Sequence, residues 1–250
     1  HCHLSYPGLV EDLPGVLERA AVAGVSHMLC ICSKIGEFDA IRAMAEAHDN
    51  LFCSVGVHPH DSGSEDPVAL GQLLDRAGHP KVIGIGETGL DHKWAVSAAQ
   101  QAEQERLLER PFEIAESHRK PVNLHSRRCL RRTLERAIAF HRATGLAAQM
   151  HWFTESKKLI RICNDEDIFV SAGPTVVGDE QAAAAACEIA DDLLLLESDA
   201  PVSVGGRPGH PRRVREVAEK LAVLRGVTLE ALAAQLASNL RRYLAGSMTD

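Results

Sequence analysis

Histidines and carboxylates stand at six positions whose chemistry points to metal ions: His1, His3, Glu87, His125, His151 and Asp199. Four neutral imidazoles supply borderline nitrogen and two carboxylates supply hard oxygen, a set that suits zinc or manganese and, less comfortably, magnesium. His1 and His3 are two residues apart, so in an extended segment both rings point to one side and the Cys2 thiol to the other, giving a two-point grip on an ion and leaving Cys2 a structural role. If His1 is the first residue, its amine and the third-position histidine offer copper or nickel an alternative site through backbone nitrogens. Singly, each residue has an ordinary reading, since a strand-end histidine is commonly a satisfied loop residue and an acidic one commonly caps the next helix. It is their common address that needs an explanation.

His1 and His3 stand at the start of the chain, and the other four lie at or just after the end of a short apolar run. The runs Val25 to Cys32, Leu51 to Val57, Val82 to Glu87, Val122 to His125, Ala147 to His151, Ile168 to Ser171 and Leu193 to Glu197 are mostly continuous rather than alternating, as strands covered on both faces should be. Helical patterns fall between them at Leu9 to Ala23, Glu37 to His48, Gln100 to His118, Arg131 to Thr144, Asp179 to Ile189 and Arg212 to Leu224, and a last one runs from Leu229 to Leu244. In the Gln100 helix Leu107, Ile114 and Ala115 should face inward and Gln104, Glu105 and Arg119 water, with Pro111 kinking or breaking it.

Alternating strands and helices over 250 residues, with no linker or repeat, predict one α/β domain, residues 1–250, folded as a TIM-like (β/α)8 barrel. Aromatics make up only 4% of the chain, which suits a barrel filled by branched aliphatic side chains. The C-terminal ends of parallel barrel strands open onto one surface, so the six residues are expected to meet at the barrel mouth. The chain begins at the His-Cys-His triplet with almost nothing before it. The barrel then has a truncated first strand, or the natural chain is longer.

No run of about 18 apolar residues and no signal-peptide pattern occur, so no membrane association is expected. Seven cysteines, an odd count, with Cys30, Cys32 and Cys53 in apolar runs, favour reduced thiols and a cytoplasmic address. A net charge of -7 argues against non-specific coating of nucleic acid, while a local basic patch stays compatible with a phosphate substrate.

Several motifs resemble the TatD family of metal-dependent deoxyribonucleases: His1-Cys-His-Leu4, Gly56-Val-His-Pro-His60, Gly86-Glu-Thr-Gly-Leu-Asp91, Pro121-Val-Asn-Leu-His-Ser-Arg127, His151-Trp-Phe153, Glu197-Ser-Asp-Ala-Pro201 and Asn239-Leu-Arg-Arg-Tyr-Leu244. They follow the family's order over nearly the whole chain. The resemblance implies a TIM-like barrel with two divalent ions, one held by His1, His3 and Asp199, the other by His125 and His151, with Glu87 bridging and no carboxylated lysine. It also implies cleavage of DNA phosphodiesters, commonly from an end. Three departures touch the substrate rim: His92 and Lys93 replace a usual aromatic pair, Trp152 a usual cysteine, and Gly209-His210-Pro211 an Asn-Glu-Pro element.

Two divalent ions would activate a water and stabilise the charge that builds on a phosphodiester. Glu87 and Asp199 are the candidate catalytic carboxylates, Asp199 orienting the water and accepting its proton, and His60 is a candidate to contact phosphate or protonate the leaving oxygen. His58, His60, Arg127 and Trp152 are the candidate substrate-binding residues: the imidazoles and guanidinium for phosphate, the indole for a base. For His58 and His60 the competing reading is loop packing around Pro59, and for Trp152 a core or rim position. The expected substrate is DNA, single-stranded or frayed, with no obligate protein partner. The alternatives are a binuclear amidohydrolase or lactonase-like enzyme acting on a small substrate, and a non-catalytic metal-binding protein.

Overall fold

The structure, a computed structural model, describes residues 1–61, 71–72 and 75–246. Its contacts divide the chain into two compact units, His1–Cys30 with Trp152–Arg242, and Ile31–His151 with Tyr243–Asp250. The seven expected strands are all present, and those that pair within a unit do so in parallel.

In the first unit, α1 (Leu13–Val22) precedes β1 (Met28–Cys30). In the second unit, α2 (Phe38–Ala47) buries Phe38, Ile41 and Ala45 at helical spacing. There β2 (Leu51–Val55), β3 (Val82–Asp91), β4 (Val122–Arg127) and β5 (Ala148–Met150) pair in chain order, with Val55 opposite Ile85, Gly89 opposite His125 and Leu124 opposite Met150. Helices α3 (Ala98–Ser117) and α4 (Leu130–Thr144) follow β3 and β4. The start of α3 is fixed by a capping box in which Ser97 and Gln100 satisfy each other's backbone N–H groups. α4 stops where Gly145 takes a left-handed conformation.

Two details differ from expectation. The β3 strand extends to Asp91, so Glu87 sits inside it rather than at its end. The register shifts between Ile85 and Thr88, where Gly86 has φ +141° and a Cβ would meet the Asn123 carbonyl at 2.5 Å. Such an irregularity bends a strand and re-aims its side chains. Helix α3 also runs unbroken through Pro111, and Gln104 on it is buried rather than water-facing.

In the first unit α5 (Lys157–Asp165), β6 (Phe169–Ala172), α6 (Thr175–Gly178), α7 (Glu180–Ala186), β7 (Leu194–Leu196), α8 (Val214–Arg225) and α9 (Leu229–Leu244, to Arg242 in this unit) continue the alternation. β6 and β7 pair with Val170 opposite Leu194. The helix α5 is an addition to the expected elements; its Leu159, Ile160 and Cys163 bury one apolar face at helical spacing. Cys2 forms isolated parallel bridges to Cys30 on one side and Ala200 on the other, through Cys2 N–H to Leu29 O (3.1 Å) and His3 N–H to Ala200 O (2.7 Å). Among the described residues, no single helix is long and apolar enough to cross a membrane.

Candidate functional site

Each unit carries its own cluster of histidines and carboxylates. In the first unit the bridges of Cys2 hold the His1–His3 segment extended, and the two imidazoles face one carboxylate: Asp199 Oδ1 lies 3.4 Å from His1 Nε2 and 3.2 Å from His3 Nε2. The ring centroids are 5.3 Å apart. Asp199 is fixed through its backbone, whose N–H donates to His1 O at 3.1 Å, and it adopts φ +45°. That conformation is uncommon for a residue with a Cβ and tends to be kept where a side chain must be aimed. Glu197, fully buried, stands 3.8 Å from His1 Nδ1 and accepts a 2.7 Å hydrogen bond from Ser171 Oγ. The Cys2 thiol is pushed up to about 12 by burial, with Asp199 adding to the effect, so it stays neutral in neutral solution.

In the second unit the cluster is built on β3, β4 and the residue after β5. The Glu87 N–H donates to Cys32 O at 3.2 Å and the His151 N–H to Leu124 O at 3.0 Å, which holds both residues through the backbone. Glu87 Oε1 then lies 2.9 Å from His125 Nδ1, 3.2 Å from His151 Nε2 and 3.7 Å from His58 Nε2. Glu87, His125 and His151 each present one ligand atom within 4.8 Å of the others, and so do His58, Asp91 and His125. Two imidazoles and a carboxylate closing on one point are a donor set that fits a divalent ion of the zinc or manganese kind.

Electrostatics in this cluster follow from burial and from pairing. At His125 burial opposes the charged form, but hydrogen bonds to Asp91 (3.2 Å from Nε2) and Glu87 outweigh it and raise the imidazole above its usual range. Burial pushes the Asp91 carboxyl up, yet His125 and the Lys93 N–H (2.8 Å) outweigh it and hold the group below its usual range. His58 goes the other way: burial, offset only in part by Glu87, lowers it to about 4, so it is a neutral imidazole at neutral pH.

The remaining candidates are placed as follows. His60 is exposed, with its ring 4.5 Å from that of Trp94. Arg127 is exposed at the end of β4. Trp152, at φ +47°, donates from Nε1 to Thr175 Oγ1 at 2.9 Å, and a Cβ on Gly173 would sit 3.2 Å from its ring.

Three residues were missed as site residues. Asp91 closes the Gly86 to Asp91 motif and Glu197 is two before Asp199, so alternation along an extended chain could have flagged Glu197 as a neighbour on the same side. Gln104 gave no signal. Its buried amide accepts from the Asp91 N–H at 3.0 Å and donates to Pro59 O at 2.9 Å, tying the end of β3 to the loop that carries His58 and His60.

A family model described as TatD related DNase matches residues 1–245. The uncharacterized metal-dependent hydrolase YcfH of Escherichia coli (strain K12) is 31% identical, covering 97% of this chain and 93% of the relative. The 3'-5' ssDNA/RNA exonuclease TatD of Salmonella typhimurium is 29% identical, with 96% and 95% covered. Among solved structures, the TatD homolog YJJV from Escherichia coli K12 is similar with a TM-score of 0.88 at 25% identity, covering 98% of this chain and 96% of that one.

Proposed function

The chain belongs to the TatD related DNase family and is a metal-dependent hydrolase, and from that premise we propose that it is a deoxyribonuclease acting on single-stranded or frayed DNA with two divalent ions, zinc, manganese or magnesium. The observation that carries this reading is the closure of Glu87, His125 and His151 around one point, with Glu87 Oε1 2.9 Å and 3.2 Å from two imidazole nitrogens. In it, Glu87, His125 and His151 hold one ion, and His1, His3 and Asp199 the other. When bound, such ions lower the pKa of a water toward neutrality and stabilise the charge that builds on the phosphorus oxygens and the leaving oxygen.

The chain's own residues do the rest. Asp199, held by its backbone in a fixed orientation, aligns the attacking water and accepts its proton. His60 and the exposed Arg127 meet the phosphate, the guanidinium offering two donors to its oxygens. His58 is the poorer candidate for a charged phosphate contact, because burial keeps it neutral at neutral pH. Trp152, half-buried beside His151 in the chain, is the candidate to meet a base with its indole, which suits single-strand recognition.

The fold carried with this reading is a single TIM-like barrel domain over residues 1–250, with the His1–His3 segment in the place of the first strand; the parallel bridges of Cys2 to Cys30 and Ala200 support it. A cytoplasmic address accompanies it, supported by the lack of any disulfide among the seven cysteines.

The test is a chelator-stripped preparation reloaded with zinc, manganese or magnesium and given a single-stranded oligodeoxynucleotide. Release of nucleotides that returns with the metal and stops with chelator is expected. A folded, metal-loaded protein that releases none refutes the reading.

A further inference from the structure

We propose that Trp94, with His60 and Lys93 beside it, is a platform on which a nucleobase of the single-stranded substrate stacks; the inference rests on the nuclease reading above. Aromatic residues are scarce in this chain, at 4%, and only two are tryptophan. Trp94 is nevertheless 48% exposed, and among the described residues it is the one aromatic side chain in a set of exposed large hydrophobics otherwise made of valine and leucine. An exposed indole loses the hydrophobic gain it would have in the core.

Its surroundings suit a base and its phosphate. The His60 ring lies 4.5 Å away at an interplanar angle of 57°, and the Lys93 ammonium sits over the indole face, 4.8 Å from its centroid, on a flexible stem that can turn aside to a phosphate. Aromatic faces accept any base, and a compact cation serves the backbone phosphate. With a net charge of -7, the protein as a whole does not attract a polyanion, so affinity for a single strand has to be local.

The platform is also held to the residues that flank His125. Trp94 N–H donates to Asp91 O at 3.3 Å, Lys93 N–H to Asp91 Oδ1 at 2.8 Å, and His60 N–H to His58 Nδ1 at 3.1 Å. Gln104 joins the two segments by bonding to both Asp91 and Pro59. Both rings are therefore tied through short segments to His58 and Asp91, whose side chains lie against the candidate ligand His125, the His58 ring at 4.3 Å between centroids and Asp91 Oδ2 at 3.2 Å from Nε2.

The experiment compares the metal-loaded wild type with Trp94→Ala and Trp94→Phe. It uses a single-stranded oligothymidylate, an abasic strand of equal length, and bis(p-nitrophenyl) phosphate, which has no base. Trp94→Ala should lower the ratio of kcat/KM for oligothymidylate to that for bis(p-nitrophenyl) phosphate about tenfold, mostly through KM, and Trp94→Phe should restore most of it. Oligothymidylate, but not the abasic strand, should quench tryptophan fluorescence in the wild type, and less in Trp94→Ala. An unmoved ratio, or equal quenching by the abasic strand, overturns the platform. If no strand is cleaved yet the Trp94-dependent quenching is present, the platform stands and the nuclease reading falls.

Discussion

Replacing Asp91 by Asn tests whether this carboxylate sets the state of His125. The His125 ring stands between two carboxylates, Glu87 2.9 Å from Nδ1 and Asp91 Oδ2 3.2 Å from Nε2. If Nδ1 is to offer its lone pair to an ion, the ring proton must sit on Nε2, and Asp91 is the acceptor that keeps it there. Asparagine preserves the size, and its amide oxygen can still accept from Lys93 N–H, so the amide NH2 is turned toward Nε2. Donor then meets donor, the tautomer protonated on Nδ1 is favoured, and the lone pair is blocked. Loss of such an outer partner costs about 10- to 100-fold in metal affinity, or about 1.4 to 2.8 kcal/mol. The assay is calorimetric titration of zinc or manganese into chelator-stripped wild type and Asp91→Asn. An unchanged Kd in a variant with the wild-type Tm would refute the role assigned to Asp91.

Three further outcomes are expected. Glu87→Gln keeps the shape but removes the anion that faces His125 and His151, so metal retention, read by elemental analysis after dialysis, should fall by more than the about 100-fold ceiling for an outer-shell change. Gln104→Leu leaves the Asp91 N–H and the Pro59 carbonyl without their partner, which should cost about 2 to 4 kcal/mol in urea unfolding of the metal-free protein. Burial, with Arg19 and Arg212 adding to it, lowers His210 to about 4, while the unfolded chain holds the ordinary value near 6.5. The unfolded state then binds the extra proton in that window, so the stability His210 contributes is present above about pH 6.5 and is lost toward pH 4. His210→Asn, which can still cap the following turn, should lose less Tm than wild type between pH 7 and pH 5 by scanning calorimetry.

Much of this architecture is legible in the chain because the hydrophobic pattern carries it. Seven apolar runs marked seven strands, and amphipathic spacing marked the longer helices, including α9 to the residue. Short elements were not expected: α6 has four residues and α5 nine, although Leu159, Ile160 and Cys163 give α5 a helical spacing that the chain does show. Pro111 misled because a proline removes one hydrogen bond, and the buried face of α3, with Leu108, Phe112, Ile114 and Ala115, holds the helix through it. Phe112 and Phe140 stack at 4.9 Å, a pair worth about 0.5 to 1.5 kcal/mol beyond area burial.

The identities of the candidate ligands are a property of the sequence alone: a ligand needs a lone pair, and only the residue type supplies it. Which atoms meet is decided by tertiary structure. Gly86 and the register shift beside it leave Glu87 inside β3 with its carboxylate among three imidazoles, and no local rule contains that geometry. The same holds for Asp91 and Gln104. A glutamine on a helix reads as solvent-facing until the fold brings the end of β3 and the Pro59 loop to its two ends. Hydrogen bonds between residues tens of positions apart leave no periodic trace in the chain, because they depend on where the backbone of each partner has been carried by the packing of everything between them.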